Sequence, residues 1–529
     1  MWKYIKKRWR GNLLAVILLC SYVTCTFLET FLLMDILDMM TNHAQWHMLE
    51  GKVFTFIIIL ALSVVAYYAG SVTRARVHVA MRDDMRTSLN KQIGAYTYQK
   101  FRNKNIADYI AWYSTNIEQI STLGFSSFFS ICTTIFQTVI AVISLGMIYW
   151  KMSIYSFVFI VVLYFLSVCT KKYIIRKSKE RVESNEVFLA KLNDLLQGFS
   201  VLYCFKKMPL FEYKMHDAST YYEQKNYDNT LAQIRVNALL LSVNIIFQST
   251  FLIIAIWCVL HNFMKASAII GIYSFLPKVF DGITDTVQLK NAMISTKPYF
   301  DQMETHDVMK PIHLIDESIN TIELKDVSYV YDQKQVFVHM NYQFLKGKKY
   351  AVVGKSGCGK STLLKIIAGL LSDYSGAIVI NGRQVDHNTS ILSQIAYIDQ
   401  QPILFDGTVL ENICLWNSPD QNLIPSVLED SGLKDINHIF SDGLDTIICE
   451  GGKNLSGGQK QRIAVARALY AKKQFLFIDE GTSALDKPTR TMIENKLFER
   501  KDLTIIITHV GEKTHGFNRE DASSLLYFL

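Results

Sequence analysis

At 529 residues, half of them hydrophobic, the chain is long enough for two or more domains. Its formal charge of +8 would suit nucleic acid. The basic residues of the first half, however, flank apolar runs, where the positive-inside rule accounts for them, so that partner is excluded. Nine cysteines are scattered without a C-x-x-C pair, which excludes the usual zinc and disulfide frameworks.

Up to about residue 300 the chain repeats apolar runs of roughly 20 residues, the length needed to cross a bilayer. Lys3, Lys6, Lys7, Arg8 and Arg10 precede the first run, which starts near Leu13 and continues past Leu33. A signal peptide would be shorter and would end in a small-residue cleavage site. The run is therefore expected to be a first membrane helix with a cytoplasmic N-terminus. Further spans are expected at 53–73, 125–150, 153–172, 237–260 and 266–288. The connections after the first, third and fifth spans are short and carry few cations. Those after the second and fourth are long and basic, running from Arg74 to Lys104 and from Lys171 to Arg235. Both chain ends are then expected on the cytoplasmic side of the plasma membrane. The long loops read as helices continuing out of the bilayer, with turns expected near Ser114–Ile120 and Leu195–Phe205.

Several polar residues interrupt these spans. Glu29, Lys278, Asp281 and Asp285 are costly in hydrocarbon and must pair with each other or face a cavity. Both alternatives are open on the sequence. Asn244 and Gln248, one helical turn apart, are expected to bond between helices.

After a mixed-composition linker at 304–320, strands are expected at Thr321–Tyr331 and Val336–Phe344. An apolar run from Tyr350 to Val353 then leads into Gly354-Lys355-Ser356-Gly357-Cys358-Gly359-Lys360-Ser361-Thr362 and a helical run. This is the G-x-x-x-x-G-K-S phosphate loop. Glycines let successive N–H groups converge on phosphate oxygens, and the helix behind presents its positive end. Lys360 reaches the terminal phosphates and Ser361 can hold magnesium. Cys358 in this loop points to a reducing cytosol.

Gln400 ends a strand-like run, and Leu455-Ser456-Gly457-Gly458-Gln459 opens a helix. Asp479 and Glu480 end the apolar strand from Phe475, at the carboxyl end where such sheets bind ligands. Asp479 is placed to anchor magnesium and Glu480 to take a proton from attacking water. His509 ends a last apolar strand, within reach of a γ-phosphate. Singly these are ordinary polar residues; in this order they are an ATPase set.

Together they resemble an ATP-binding cassette exporter, a half-transporter with its membrane domain (1–303) fused ahead of its ATPase domain (321–529). The resemblance implies a six-helix all-α transmembrane domain followed by an α/β phosphate-loop ATPase. It assigns Tyr331 to base stacking, Gly354–Thr362 to the phosphates, and Ser361, Gln400 and Asp479 to magnesium. Glu480 and His509 become catalytic, Asp486 belongs to the D-loop, and Leu455–Gln459 is the signature that meets the ATP of a second subunit. The implied cofactors are ATP and Mg2+. The implied partners are a second half-transporter, with a homodimer favoured over a heterodimer, the lipid bilayer, and an unknown peptide, drug or lipid-like cargo. A non-transporting ATPase would lack the spans, and importers mostly keep the two parts on separate chains. The sequence departs from the family where Thr446-Ile-Ile-Cys449-Glu450-Gly451-Gly452 lacks the usual first glycine and arginine. It departs again where Gly481 replaces an alanine. The ATPase C-terminus is expected to be short for the family, and no leader-cleaving protease domain is expected ahead of the spans.

The loop charges set a labelling pattern. Single cysteines near His43 and Asn262 will react with an impermeant thiol reagent applied to intact cells, whereas those near Asn90 and Asn226 will be protected. Reversed labelling would refute the six-span topology.

Overall fold

In hydrocarbon a backbone has no water to bond, so a membrane-crossing chain must satisfy its amides internally, as helix. The computed structural model describes residues 1–303, 313–315, 317–331, 334–355, 357–387, 389–499, 503–509 and 525–528. It divides into two units, 1–91 with 106–306, and 92–105 with 307–529.

The first unit is helical. Its long helices are Trp9–Thr41, Trp46–Gly94, Ile106–Ile148, Trp150–Gln197, Met208–Leu260 and Ala268–Ile294. Among the described residues, the first three and the fifth are long and apolar enough throughout a window to cross a membrane. The fourth has a shorter apolar stretch, Trp150–Val162, and the sixth is interrupted by Lys278, Asp281 and Asp285. Helices of 48 to 53 residues far exceed the roughly 20 a bilayer needs, so they extend well beyond it. Side chains such as Phe54, Ile57, Leu62 and Val65 face outward from this unit, as lipid-facing positions should.

The helices pack where one of them is bare. A β-carbon at Gly282 would lie 1.8 Å from the Thr138 hydroxyl oxygen, so these two helices meet backbone to side chain, in the manner of small-residue membrane interfaces. Phe159 lies 4.0 Å from Phe280 and 4.3 Å from Phe247 between ring centroids, and Phe27 stacks on Phe275 at 4.9 Å. At the N-terminus, buried Asp84 accepts from Lys7 Nζ at 2.6 Å and Arg8 Nε at 2.7 Å, which pins the short helix Trp2–Lys7 against the second long helix.

Two expectations need correction. Ser114–Ile120 is not a turn. The chain there is continuous helix containing two wider, π-type segments, Trp112–Asn116 and Ile120–Phe125. The turn comes earlier, around a short helix Tyr98–Arg102 capped by the Thr97 side chain, which accepts from the Lys100 amide. Second, Gln248 Nε2 donates to Asn244 Oδ1 at 2.8 Å within one helix, not between helices. Of the two alternatives open for the ionisable residues, pairing is not seen between Lys278 and Asp281 among the described residues. The Lys278 ammonium instead stands 5.3 Å over the Phe27 ring, and both aspartates are exposed in a single copy. The second expected turn is present, between Gln197 and Met208 around the short helix Phe199–Cys204.

The second unit is built on two sheets. Five parallel strands run in the order Leu525–Phe528, Lys349–Gly354, Leu503–His509, Phe475–Asp479 and Ile395–Ile398. An antiparallel sheet is ordered Lys334–Leu345, Thr321–Tyr331, Tyr374–Ile380 and Arg383–Gln384. Of the expected linker, 304–312 and 316 lie outside the described residues. His313–Leu314 already pairs with Thr389–Ser390. The tip 92–105 also groups with this unit: Gln99 accepts from the Ser372 hydroxyl at 3.2 Å and donates to Asp373.

Candidate functional site

Three parallel strands end side by side in polar residues. Gly354, His509 and Asp479 are the last residues of neighbouring strands, and the backbone of His509 pairs with Gly354. The middle of each strand is apolar, as expected where both sheet faces are covered. Polar groups therefore collect at one end.

From Gly354 the chain turns through the phosphate loop into the helix Lys360–Ile367. Gly357 and Gly359 adopt φ of 78° and 101°, a region that costs a side chain strain. A β-carbon at Gly359 would meet Val336 at 2.4 Å, whereas at Gly357 it would meet open space. The loop is thus closed on one side and open on the other. Lys360 is buried, and its ammonium donates to the carbonyls of Gly354 at 2.8 Å and Lys355 at 2.9 Å. Ser356 lies outside the described residues. Cys358 and Thr362 are half-buried.

Asp479 is 3% exposed. Its two oxygens accept from Ser361 Oγ at 2.9 Å and from Tyr397 Oη at 3.0 Å. Burial pushes this carboxyl above its ordinary range, and the two hydroxyls offset part of that. Burial, followed by the Asp479 charge, pushes the Tyr397 phenol far above its ordinary value, and the nearby Tyr98 phenol acts in the same direction. Glu480 follows with φ of 51°, unusual for a side-chain-bearing residue and of the kind that gathers at functional sites. Gln400 Nε2 donates to Glu480 Oε2 at 2.8 Å. The loop, Gln400, Asp479 and Glu480 therefore converge, and Ser361, Gln400 and Asp479 offer three oxygen donors of the kind magnesium prefers. Tyr331 stays at a strand end and is 70% exposed.

Leu455–Gln459 and Asp486 are placed elsewhere. Ser456 and Gln459 hold each other in a capping box at the start of the helix Gly457–Tyr470. Gln459 Nε2 also donates to the Ile439 carbonyl at 2.9 Å. Ser456, Gly457, Gly458, Gln459, His438, Arg462 and Asp486 line an open cleft of about 660 Å³. Leu455 turns away and packs on the core. Asp486 accepts from the Thr489 amide at 3.1 Å and hydroxyl at 3.0 Å, and these bonds, with a smaller contribution from the Arg462 charge, hold its carboxyl below the ordinary range. This cleft has exposed N–H groups at a helix start, and its one carboxylate among the described residues, Asp486, meets the Thr489 hydroxyl on the exposed surface instead of in the interior.

A family model for the ABC transporter transmembrane region matches residues 13–282, and one described as ABC transporter matches 337–483. The chain belongs to the ABC transporter family. An export ATP-binding/permease protein of Rickettsia felis is 26% identical over 527 residues, covering 94% of this chain and 88% of its own. A sublancin-168-processing and transport ATP-binding protein of Bacillus subtilis is 27% identical and covers 72% of this chain and 56% of its own. A microcin-H47 secretion/processing ATP-binding protein of Escherichia coli is 38% identical over 200 residues, covering 37% of this chain and 28% of its own. Among solved structures, a bacterial Atm1-family ABC exporter with ATP bound superposes with a TM-score of 0.79 at 18% identity, covering 95% of this chain and 92% of that one. This ABC transporter is an exporter-type half-transporter. It sits in the membrane with a cytoplasmic ATPase domain, and it couples ATP hydrolysis to transport.

Both departures from the family pattern have local accounts. At Cys449–Gly452, Glu450, Gly451 and Gly452 all have positive φ, and Glu450 pairs with Lys453 at 2.5 Å. At Gly481 an added methyl would lie 2.4 Å from Ile398 Cγ2, so glycine is what this strand leaves room for. Three residues that matter to the site were missed in the sequence. Arg467 donates to the carbonyls of Asn412 and Ile403, both at 2.9 Å, tying the signature helix to the segment after Gln400. Gln99 carried a signal, because Gly94 and Thr97 are a helix stop and an N-cap. Tyr397 carried none, since only cross-strand register brings it to Asp479.

Gly481→Ala will lower stability by about 1–3 kcal/mol through overpacking. In an Ile398→Ala background the loss will shrink. Melting temperatures of the four proteins of this cycle measure the coupling, and additive losses would disprove the contact.

Proposed function

We propose that two copies of this half-transporter form a homodimer that exports a peptide, each ATP lying between the phosphate loop of one copy and Ser456–Gln459 of the other. The observation that carries this reading is that one chain holds both half-sites intact. The phosphate loop, Gln400, Asp479, Glu480 and His509 stand on one side, and the capped signature helix with Asp486 on the other. Two identical chains therefore suffice for two complete sites.

In this reading Lys360 and the loop amides neutralise the phosphates, and Tyr331 stacks on the base. Ser361, Gln400 and Asp479 hold magnesium, which when bound supplies charge neutralisation to the phosphates. Glu480 takes a proton from the attacking water, and its bond to Gln400 ties that base to the metal-binding amide. His509 is assigned to the γ-phosphate on the register of its backbone beside Gly354. A peptide cargo is supported by the names of the microcin and sublancin relatives. The second of these matches more of the chain than the ATPase unit alone supplies. Exposed Asp281 and Asp285 favour cations, because Lys278 leans on Phe27 and leaves them uncompensated.

Glu480→Gln will retain ATP binding while losing about 100-fold or more in turnover. Lys360→Ala will weaken nucleotide binding itself. A near wild-type rate in Glu480→Gln would remove the residue from the chemistry. For the dimer, Lys360→Ala and Ser456→Arg will each be inactive alone, yet co-expressed they will regain ATPase activity, since a mixed pair has one intact site. No recovery, with another half-transporter co-purifying, would establish a heterodimer.

Asp285→Asn will reduce stimulation of ATPase by cationic peptides more than by neutral ones in proteoliposomes. Equal loss for both, with a lower melting temperature, would make the residue structural.

A further inference from the structure

A carboxylate that binds magnesium through one oxygen needs its other oxygen held, or the carboxylate plane swings and the metal distance with it. Groups bonded to a metal ligand commonly fix that orientation, and their loss weakens metal binding. Asp479 has two donors, one on each oxygen: Ser361 on Oδ1 and Tyr397 on Oδ2. Ser361 is itself assigned to the metal. Tyr397 is therefore the donor left to hold Asp479 once Ser361 turns to that task.

Its placement suits this role. Tyr397 lies on the strand Ile395–Ile398, parallel to the Asp479 strand and opposite Phe477, two residues before Asp479. From that register a tyrosine reaches the carboxylate end of the neighbouring strand at 3.0 Å, oxygen to oxygen. Its neighbours Ala396 and Ile398 are buried, so the strand is anchored on both sides of the ring. Ordinary core packing would need the ring alone, and a phenylalanine would serve it. The hydroxyl has a partner only in Asp479 among the described contacts.

We propose that Tyr397 is a positioning residue that orients Asp479 for magnesium, and that its hydroxyl, not its ring, carries this role. The inference rests on the reading of Asp479 as a metal ligand. Removing the hydroxyl leaves a buried carboxylate oxygen without its donor, which is costly, while the ring volume stays in place.

The test uses the full chain in lipid nanodiscs, comparing wild type with Tyr397→Phe. Magnesium is titrated against a fluorescent, non-hydrolysable ATP analogue. The half-saturating magnesium concentration will rise about tenfold in the variant. Analogue binding in EDTA will match wild type, a pattern that lost packing would not produce, while the nucleotide-free melting temperature will fall modestly because a buried carboxylate oxygen has lost its donor. A variant titration superimposed on wild type would overturn the inference and leave the metal reading intact. A wild-type response flat in magnesium would overturn the metal reading itself, and the inference with it. A nucleotide-free melting temperature lowered in Tyr397→Phe without a shift in the magnesium midpoint would make the hydroxyl a packing element and also overturn it.

Discussion

A carboxylate carried into a protein interior is stable only if its hydrogen bonds travel with it, since the charge loses several kcal/mol of hydration on the way. Asp479 ends a strand whose five residues are all buried, and Ser361 and Tyr397 meet its two oxygens. Much of the ATPase unit follows from satisfying this group. Ser361 can reach it because the phosphate loop returns the chain past the end of its own strand. Tyr397 can reach it because the outermost strand runs parallel to the Asp479 strand in the register that puts Phe477 opposite. The left-handed backbone at Glu480 then turns the chain sharply out of the sheet, and Gly481 completes the turn against Ile398, where no methyl fits.

The signature segment solves the opposite problem. Here the polar groups are exposed amides at a helix start, and no buried charge has to be satisfied. Ser456 and Gln459 cap each other and leave the two glycines facing an open cleft. The phosphate-loop amides with Lys360 and this open amide cradle can each meet phosphate oxygens, while the buried carboxylate suits a cation beside them. That both occur on one chain is what the proposed homodimer rests on.

In the membrane unit the governing constraint is the solvent. Hydrocarbon forces continuous helix, and close approach then depends on bare positions such as Gly282 against Thr138 and on interlocking rings around Phe159. Ionisable groups survive by finding local partners. Asp84 takes Lys7 and Arg8, and Lys278 takes the face of Phe27. Asp281 and Asp285 remain exposed on the single chain.

The local features of this protein were legible in its sequence. Apolar run length reported the long helices of the first unit, four of which are apolar enough to cross a membrane, because bilayer thickness acts on consecutive residues. The glycine spacing of 354–359 reported the phosphate loop, because a backbone that must turn inward needs glycine at fixed offsets. The strand ending in Asp479 was readable from four apolar residues in a row, Phe475 to Ile478. Features that depend on residues far apart were not readable. The turn assigned to Ser114–Ile120 lies instead around Tyr98–Arg102, because a wide-turn helix and an interrupted helix look alike in composition. Gln248 bonds within its own helix, because helix rotation, invisible in sequence, decides which face meets a neighbour. Tyr397 reaches Asp479 and Ile398 excludes a methyl at 481 only through the parallel register of strands some 80 residues apart. Spacing along the chain determined the chemistry each segment could offer; only the packing of strands and helices decided which offered groups meet, because hydrogen bonds and close contacts act over a few ångströms of space and take no account of sequence distance.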